Sequence, residues 1–250
     1  MTMLNGKVIL VTGGAKGMGE SHSKLFAERG ATVLVTDFDP KGAAVAEAIK
    51  AAGGNSHFRA LDVTSETQWR ECVDWAIAEF GRIDGLVNNA GILIRKPVPE
   101  ITLDDWTALF DINVKGTFLG CKHVLPAMRD TGSGSIVNVS SISGYVANME
   151  GMSAYCATKG AIRLLTKGVA VDYAPYKIRC NSVHPGTIST PMTAEFEADP
   201  SKHQMLVGVT AMGRIGQPRE VSEAVAFLLS DAASYMTGSE MTVDGGFTAV

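Results

Sequence analysis

Short runs of Val, Ile and Leu alternate with amphipathic stretches from end to end of this 250-residue chain, and that rhythm leaves few architectures open. Strands are expected at Lys7–Thr12, Thr32–Asp37, Ser56–Asp62, Gly85–Asn88, Ser135–Ser140, Ile178–His184 and Glu240–Val243. Most are apolar at nearly every position, as strands buried on both faces are. Helical periodicity covers Gly17–Glu28, Lys41–Ala52, Glu66–Phe80, Leu103–Met128, Ala154–Ala174 and Arg219–Leu229. Thr102 with Asp105 gives the fourth helix a start close to a capping box. The expectation is an α/β chain, one domain over residues 1–250, with a doubly wound parallel sheet and helices on both faces. No linker or low-complexity stretch divides it. Residues 187–216 follow the sixth strand with no strand of their own and a weak helix around Met192–Val207. They read as a short substrate lid.

Charge and cysteine usage narrow the function classes. The formal net charge is -4, with Lys and Arg spread along the chain. No basic run offers a nucleic-acid surface. The residues from Met1 to Lys7 lack the basic and apolar regions of a secretory signal, and the apolar run Val8–Val11 is too short to cross a membrane. Cys72, Cys121, Cys156 and Cys180 show no C-x-x-C or zinc-like spacing, so reduced thiols, a cytoplasmic location and no metal are expected.

Two motifs carry chemistry. Thr12-Gly13-Gly14-Ala15-Lys16-Gly17-Met18-Gly19 joins the first strand to the first helix. Gly13 permits the turn, while Gly17 and Gly19 let a ligand and the strand come close. The helix N-terminus offers free N–H groups and a positive dipole to a pyrophosphate. Asp37 closes the second strand, where a carboxylate accepts hydrogen bonds from a ribose and repels a 2′-phosphate. Phe38 and Asp39 follow with no adjacent cation, which favours NAD over NADP; Lys16 is a small counter-signal. Asp62 and Val63, after the third strand, are placed to border the adenine. The second motif is Tyr155-Cys-Ala-Thr-Lys159, a phenol and an ammonium one helical turn apart on one face. Lowering a phenol pKa from about 10 to about 7 needs roughly 4 kcal/mol, more than one exposed lysine supplies. A second positive charge is therefore expected nearby.

Together these motifs resemble the short-chain dehydrogenase/reductase family, and the resemblance covers essentially the whole chain. Asn88-Asn89-Ala90-Gly91 is similar to the segment that steadies the central sheet beside the cofactor. Asn113 stands at the family's catalytic asparagine, Ser141 at its serine, and Tyr155 with Lys159 at its signature pair. Pro185, Gly186, Ile188 and Thr190 resemble the turn that holds the nicotinamide carboxamide, and Asp244-Gly245-Gly246 the closing motif. The resemblance implies a Rossmann fold and hydride transfer at nicotinamide C4. Tyr155 would exchange the proton of the substrate oxygen. Lys159 would bind the nicotinamide ribose and lower the Tyr155 pKa, with oxidised nicotinamide as the second charge. Ser141 would steady the alkoxide, and Asn113 would hold a water relaying protons from Lys159. Ser141 lies 14 residues before Tyr155, one more than the family usually carries, so Ser140 and Ser143 remain open as the carbonyl partner. A homotetramer paired through the long helices and the C-terminal segment is also implied.

Within the family the run His184-Pro-Gly-x-Ile-x-Thr-Pro191 and the end Thr237–Gly246 look most like bacterial secondary alcohol and 3α/20β-hydroxysteroid dehydrogenases. Met149, Met152, Met192, Phe196, Met205, Leu206 and Met212 cluster in the expected substrate loops, which lack a basic anion clamp. They suit an apolar, ring-containing alcohol or ketone. A 3-oxoacyl carrier-protein reductase is disfavoured by Asp37. A polyol dehydrogenase would want more polar loops. A silent nicotinamide sensor would want an incomplete tetrad. His184 reads as a packed or backbone-bonded histidine, and His22, His57, His123 and His203 as ordinary ones.

Overall fold

The computed structural model describes residues 3–147 and 149–249, so readings that touch Met1, Thr2, Asn148 or Val250 lie outside it. Strands β1 (Val8–Thr12), β2 (Thr32–Asp37), β3 (Asn55–Ala60), β4 (Gly85–Asn88), β5 (Gly134–Val139), β6 (Ile178–Pro185) and β7 (Glu240–Val243) form one sheet. Its order is β3-β2-β1-β4-β5-β6-β7, and every neighbouring pair is parallel. The helices are α1 (Gly17–Glu28), α2 (Gly42–Ala51), α3 (Glu66–Phe80), α4 (Leu103–Leu109), α5 (Gly116–Thr131), α6 (Ser153–Tyr173), α7 (Ala194–Ala198), α8 (Pro200–Gly208) and α9 (Pro218–Leu229).

Why the strands are apolar throughout is visible in β1. Ile9 and Val11 join the core under α1, α2 and α9, with Leu25, Phe26, Ile49 and Val225. Val8 and Leu10 point the other way, into the core under α3, α5 and α6, with Trp69, Leu119 and Met128. The two-residue side-chain period thus feeds both cores at once. Each fully buried Leu, Ile or Phe contributes about 1.5–3 kcal/mol. Local signals set the helix ends. The Ser65 hydroxyl caps α3, and Gly81 ends it at φ 73°. The Thr102–Asp105 capping box is complete.

Two expectations change. The helix expected over Leu103–Met128 is interrupted by a π-helical turn at Phe110–Lys115, then runs on to Thr131 until Gly132 takes φ 75°. An inserted residue widens the ladder there, and the turn holds Asn113 against the loop after β4. The expected lid helix is two helices, α7 and α8, divided at Asp199-Pro200. Proline has no N–H to continue the ladder, and the Asp199 carboxylate instead caps Ser201 and Lys202. The lid's base is closed by a parallel bridge between Ile188 and Gly216.

The strand order reverses at β1, which lies between β2 and β4. Chains leaving β1 and β4 diverge there and open a crevice beyond their carboxyl ends. The glycine loop follows one strand and Asn89–Gly91 the other.

Candidate active site

The glycine loop is fitted to its neighbours. Gly13 (φ 65°) and Gly17 (φ 60°) hold a left-handed conformation. A Cβ on Gly13 would come within 2.9 Å of the Ala90 Cα, and one on Gly19 within 2.0 Å of the Gly13 carbonyl. Thr12 joins the two loops. Its hydroxyl accepts the N–H groups of Asn89 and Ala90, each at 3.0 Å, and donates to the Val87 carbonyl at 3.3 Å. The Asn89 amide donates to the carbonyls of Thr12 and Gly13. Lys16 precedes α1 and gives it no side-chain cap. The first N–H groups of α1, on Gly17, Met18 and Gly19, precede the intrahelical ladder, which begins with the Glu20 N–H on the Lys16 carbonyl. An uncapped helix start beside a glycine cradle fits a pyrophosphate.

Asp37 is buried at the end of β2. Its carboxylate accepts the N–H of Ala15 at 2.9 Å and that of Asp39 at 2.9 Å, so one side chain fixes the glycine loop and the strand end. Phe38 beside it is exposed. Asp62 is exposed too, and one of its oxygens closes a turn on the Thr64 N–H and hydroxyl. Val63 turns into the core, where a Cβ on Gly116 would lie 2.8 Å from its Cγ2. Its side chain therefore packs on α5. Across the cleft, Pro185 ends β6, and the Gly186 N–H bonds the Val243 carbonyl at 3.0 Å. Ile188 is buried, and the Thr190 N–H bonds the Thr193 hydroxyl at 3.0 Å. Thr190 and Pro191 reach Gly17, about a van der Waals contact from its Cβ position.

The structure gathers Asn113, Ser141, Tyr155 and Lys159 at one end of this cleft. Tyr155 and Lys159 lie on the buried face of α6. The Lys159 ammonium is 5.5 Å from the Tyr155 ring centroid and donates to the Val139 carbonyl at 2.9 Å. Ser141 hydrogen-bonds the Tyr155 phenol. Its rivals are committed elsewhere: the Ser140 hydroxyl donates to the Lys159 carbonyl at 2.9 Å, and Ser143 bonds the Cys156 thiol. Ser141 is thus the serine that faces the phenol, and the extra residue before Tyr155 is taken up in the intervening loop.

Two details bear on the expected roles. Burial pushes the Tyr155 phenol up to about 12, against a lowering contribution from the Ser141 hydrogen bond. Burial also draws Lys159 down to about 8. The lysine alone therefore does not make Tyr155 a base, because a desolvated ammonium is itself held at a cost. The Asn113 amide, for its part, is engaged. It donates to the Ile92 carbonyl at 3.0 Å and the Thr158 hydroxyl at 3.1 Å, and accepts the Ile92 N–H at 2.8 Å. Both amide hydrogens are spent, so Asn113 braces the loop after β4 against α6.

A cavity of about 110 Å³ opens on Ser141 and Tyr155, walled by Leu93, Met149, Met152, Met192, Phe196 and Leu206 among others. Of the expected cluster, Met149, Met152, Met192, Phe196 and Leu206 form this wall, whereas Met205 and Met212 are exposed and do not line it. One residue here escaped the sequence reading. Arg95 lines the same cavity from the stretch after β4, so the site has a cation that the two loops alone did not show. His184 is backbone-bonded, one of its two expected readings. Its Nδ1 lies 3.0 Å from the Ser141 carbonyl and its Nε2 2.8 Å from the Ser182 hydroxyl. A carbonyl only accepts, so Nδ1 carries the proton and the imidazole holds the Ser141 backbone. Its position before Pro185-Gly186 was the available signal.

A glycine loop at an uncapped helix start, a buried carboxylate closing β2 and a Ser–Tyr–Lys cluster thus gather around the switch point, the arrangement of a dinucleotide-binding oxidoreductase fold. The family model described as Enoyl-(Acyl carrier protein) reductase matches residues 13–248. Cyclopentanol dehydrogenase of Comamonas testosteroni is 52% identical over 100% of both chains. The 3-alpha-(or 20-beta)-hydroxysteroid dehydrogenase of Mycobacterium tuberculosis (strain ATCC 25618 / H37Rv) is 44% identical over 98% of this chain and 91% of its own. The crystal structure of a gluconate 5-dehydrogenase from Burkholderia cenocepacia J2315, in complex with NADP and tartrate, superposes with a TM-score of 0.95 at 35% identity, covering 99% of this chain and 97% of the other. The chain belongs to the short-chain dehydrogenase/reductase family.

Proposed function

We propose that the protein interconverts a small cyclic secondary alcohol and its ketone with NAD. The observation that carries this reading is the Ser141–Tyr155 hydrogen bond at the floor of an apolar cavity, with Lys159 buried behind it. The relatives named for cyclopentanol and hydroxysteroids support a cyclic alcohol.

When bound, the nicotinamide accepts or donates the hydride and adds a positive charge in its oxidised form. Lys159 has N–H donors beyond the one given to Val139, and Gly91 leaves room beside them, its Cβ position being 3.7 Å from the ammonium. That donor set fits ribose hydroxyls. The Ser141 hydroxyl donates to the substrate oxygen, and the Tyr155 phenol takes its proton in oxidation and returns it in reduction. Asn113 keeps Gly91 and Thr158 in register with that geometry, and protons leave along the Lys159 side. The 187–216 stretch acts as the lid.

NAD rather than NADP is inferred from Asp37, whose buried carboxylate closes β2 and would repel a 2′-phosphate bound beside it. A homotetramer is inferred from the apolar outer faces of α5 and α6. A cytoplasmic site of action is inferred from the free thiols of Cys72, Cys121, Cys156 and Cys180. Among the described residues, no helix is long and apolar enough to cross a membrane.

Replacing Tyr155 by Phe tests the central claim. The variant should bind NADH as the wild type does and lose at least about a hundredfold in kcat on cyclopentanol. Retained turnover would remove Tyr155 from the chemistry.

A further inference from the structure

The middle of the substrate cavity is apolar, while its outer wall carries the guanidinium of Arg95, a solvent-exposed side chain fixed by its neighbours. Arg95 leaves the stretch after β4 and is held in three ways. Its Nε donates to the Glu150 carbonyl at 2.7 Å. Its guanidinium carbon lies 5.4 Å from the centroid of the Phe196 ring, on α7 of the lid. Its stem runs against Gly151, where a Cβ would come within 3.0 Å of the Arg95 Cγ. The adjacent Lys96 N–H bonds the Gly151 carbonyl at 3.0 Å and locks the two segments together.

What Arg95 lacks is a counter-ion. Among the described residues no carboxylate comes within 4.0 Å of its guanidinium nitrogens. Nearby cations are matched: Lys96 is paired with Asp105 at 2.7 Å, and Lys202 with Asp199 at 3.7 Å. Glu150 and Glu195 line the groove outside the cavity, yet neither closes on Arg95. With Nε spent on Glu150, the fork keeps its four terminal N–H groups, in the geometry that takes a carboxylate through two hydrogen bonds. The ordering cost of that fork is already met by the bond to Glu150 and the stacking on Phe196.

We infer that Arg95 selects substrates bearing a carboxylate on the ring, remote from the carbon that is oxidised. The hydroxyl meets Ser141 and Tyr155, the ring fills the methionine-lined middle, and the carboxylate meets the Arg95 fork. This inference rests on the alcohol-dehydrogenase reading above and names the substrate class within it. A purely mechanical alternative is that Arg95 only latches the lid through Phe196.

The test compares kcat/KM for NAD-dependent oxidation of 3- and 4-hydroxycyclohexanecarboxylates, in both cis and trans forms, with cyclohexanol. Wild type, Arg95→Gln and Arg95→Lys are assayed at fixed ionic strength. For the best carboxylate isomer the wild-type ratio over cyclohexanol should be at least about tenfold, carried mainly by KM. It should fall to about one in Arg95→Gln, recover in part in Arg95→Lys, and shrink in the wild type as salt rises. A wild-type ratio near one overturns the inference. So does a ratio that survives Arg95→Gln, or an equal loss on both substrate types, which is the signature of a latch. Absence of any cyclohexanol or carboxylate oxidation by the wild type overturns the dehydrogenase reading itself, a result distinct from turnover without preference.

Discussion

Asp37 does two jobs at one position. Its carboxylate accepts the Ala15 and Asp39 N–H groups, and on the NAD reading proposed above the same charge faces the adenosine ribose. Selection against NADP would then come from repulsion, while the two N–H bonds hold the repelling group in place. Replacing Asp37 by Ala should lower the preference for NAD over NADP in kcat/KM by about tenfold or more, with most of the change in the KM values for the two cofactors. Equal kcat/KM for both cofactors in the wild type would refute the assignment. The Tyr155–Lys159 pair teaches the complementary point. The two sit one turn apart as the spacing implies, yet the chain alone leaves Tyr155 near 12 and Lys159 near 8. Burial acts on both groups toward the neutral form, so proximity does not by itself create a phenolate. The positive charge that tips the balance has to arrive with the oxidised cofactor.

At the scale of elements, the contact between α1 and α9 contains a titration that the sequence does not display. His22 on α1 is fully buried, its Nδ1 2.8 Å from the Ser222 hydroxyl of α9. That hydroxyl already donates to the Pro218 carbonyl, so Nδ1 is the donor to it and Nε2 is left buried with no partner. Burial lowers the His22 pKa to about 3, and burial also lowers that of His184 to about 4. Both are neutral in the fold and titrate near 6.5 when unfolded. The unfolded chain therefore binds more protons below that pH. Stability is fully present above about 6.5 and is lost as pH falls toward 3–4, by up to about 1.4 kcal/mol per pH unit for each histidine. Urea unfolding of a His22→Asn variant should show roughly half the wild-type slope between pH 6.5 and 4.5. An unchanged slope would place the acid sensitivity elsewhere.

This pairing also marks what was legible beforehand. Strand positions were readable within a residue or two, because burial on both faces leaves a continuous apolar signature. The Thr102–Asp105 box announced the start of its helix. The π-helical turn around Asn113 was not readable, since it is shaped by the amide's bonds to Ile92, a residue 21 positions away. Nor did periodicity flag Arg95, which sits in an unpatterned stretch and gains meaning only from Glu150, Gly151 and Phe196. Ser141 was readable as one of three serines; only the commitments of Ser140 and Ser143 single it out.

For the whole molecule, the outer face of α6 is the surface that asks for a partner. Ala157, Gly160, Leu164, Gly168 and Val171 recur at spacings of three and four and share one stripe. Leu164 is 66% and Val171 76% exposed, and a Cβ on Gly160 or Gly168 would meet nothing within 4 Å. Phe118, 47% exposed, adds to it from neighbouring α5. Small residues let two helix backbones approach within about 8–10 Å, and the large ones fill the edges of such a contact. For the homotetramer proposed above, this stripe suits pairing with its own copy across a two-fold axis, where residue 164 of each chain would lie close to the same stripe of the other. The opposite face of α6 carries Tyr155 and Lys159, so that interface and the catalytic pair would share one rigid element. Sedimentation velocity of the wild type should give a species of about four times the 26.4 kDa chain mass. Leu164→Glu places like charges on both sides of the axis and should dissociate it, with kcat falling more than the circular dichroism signal. A wild-type boundary at the mass of a single chain would refute this: α6 would then keep its apolar stripe in water, and the position of Tyr155 would depend on contacts within one chain alone.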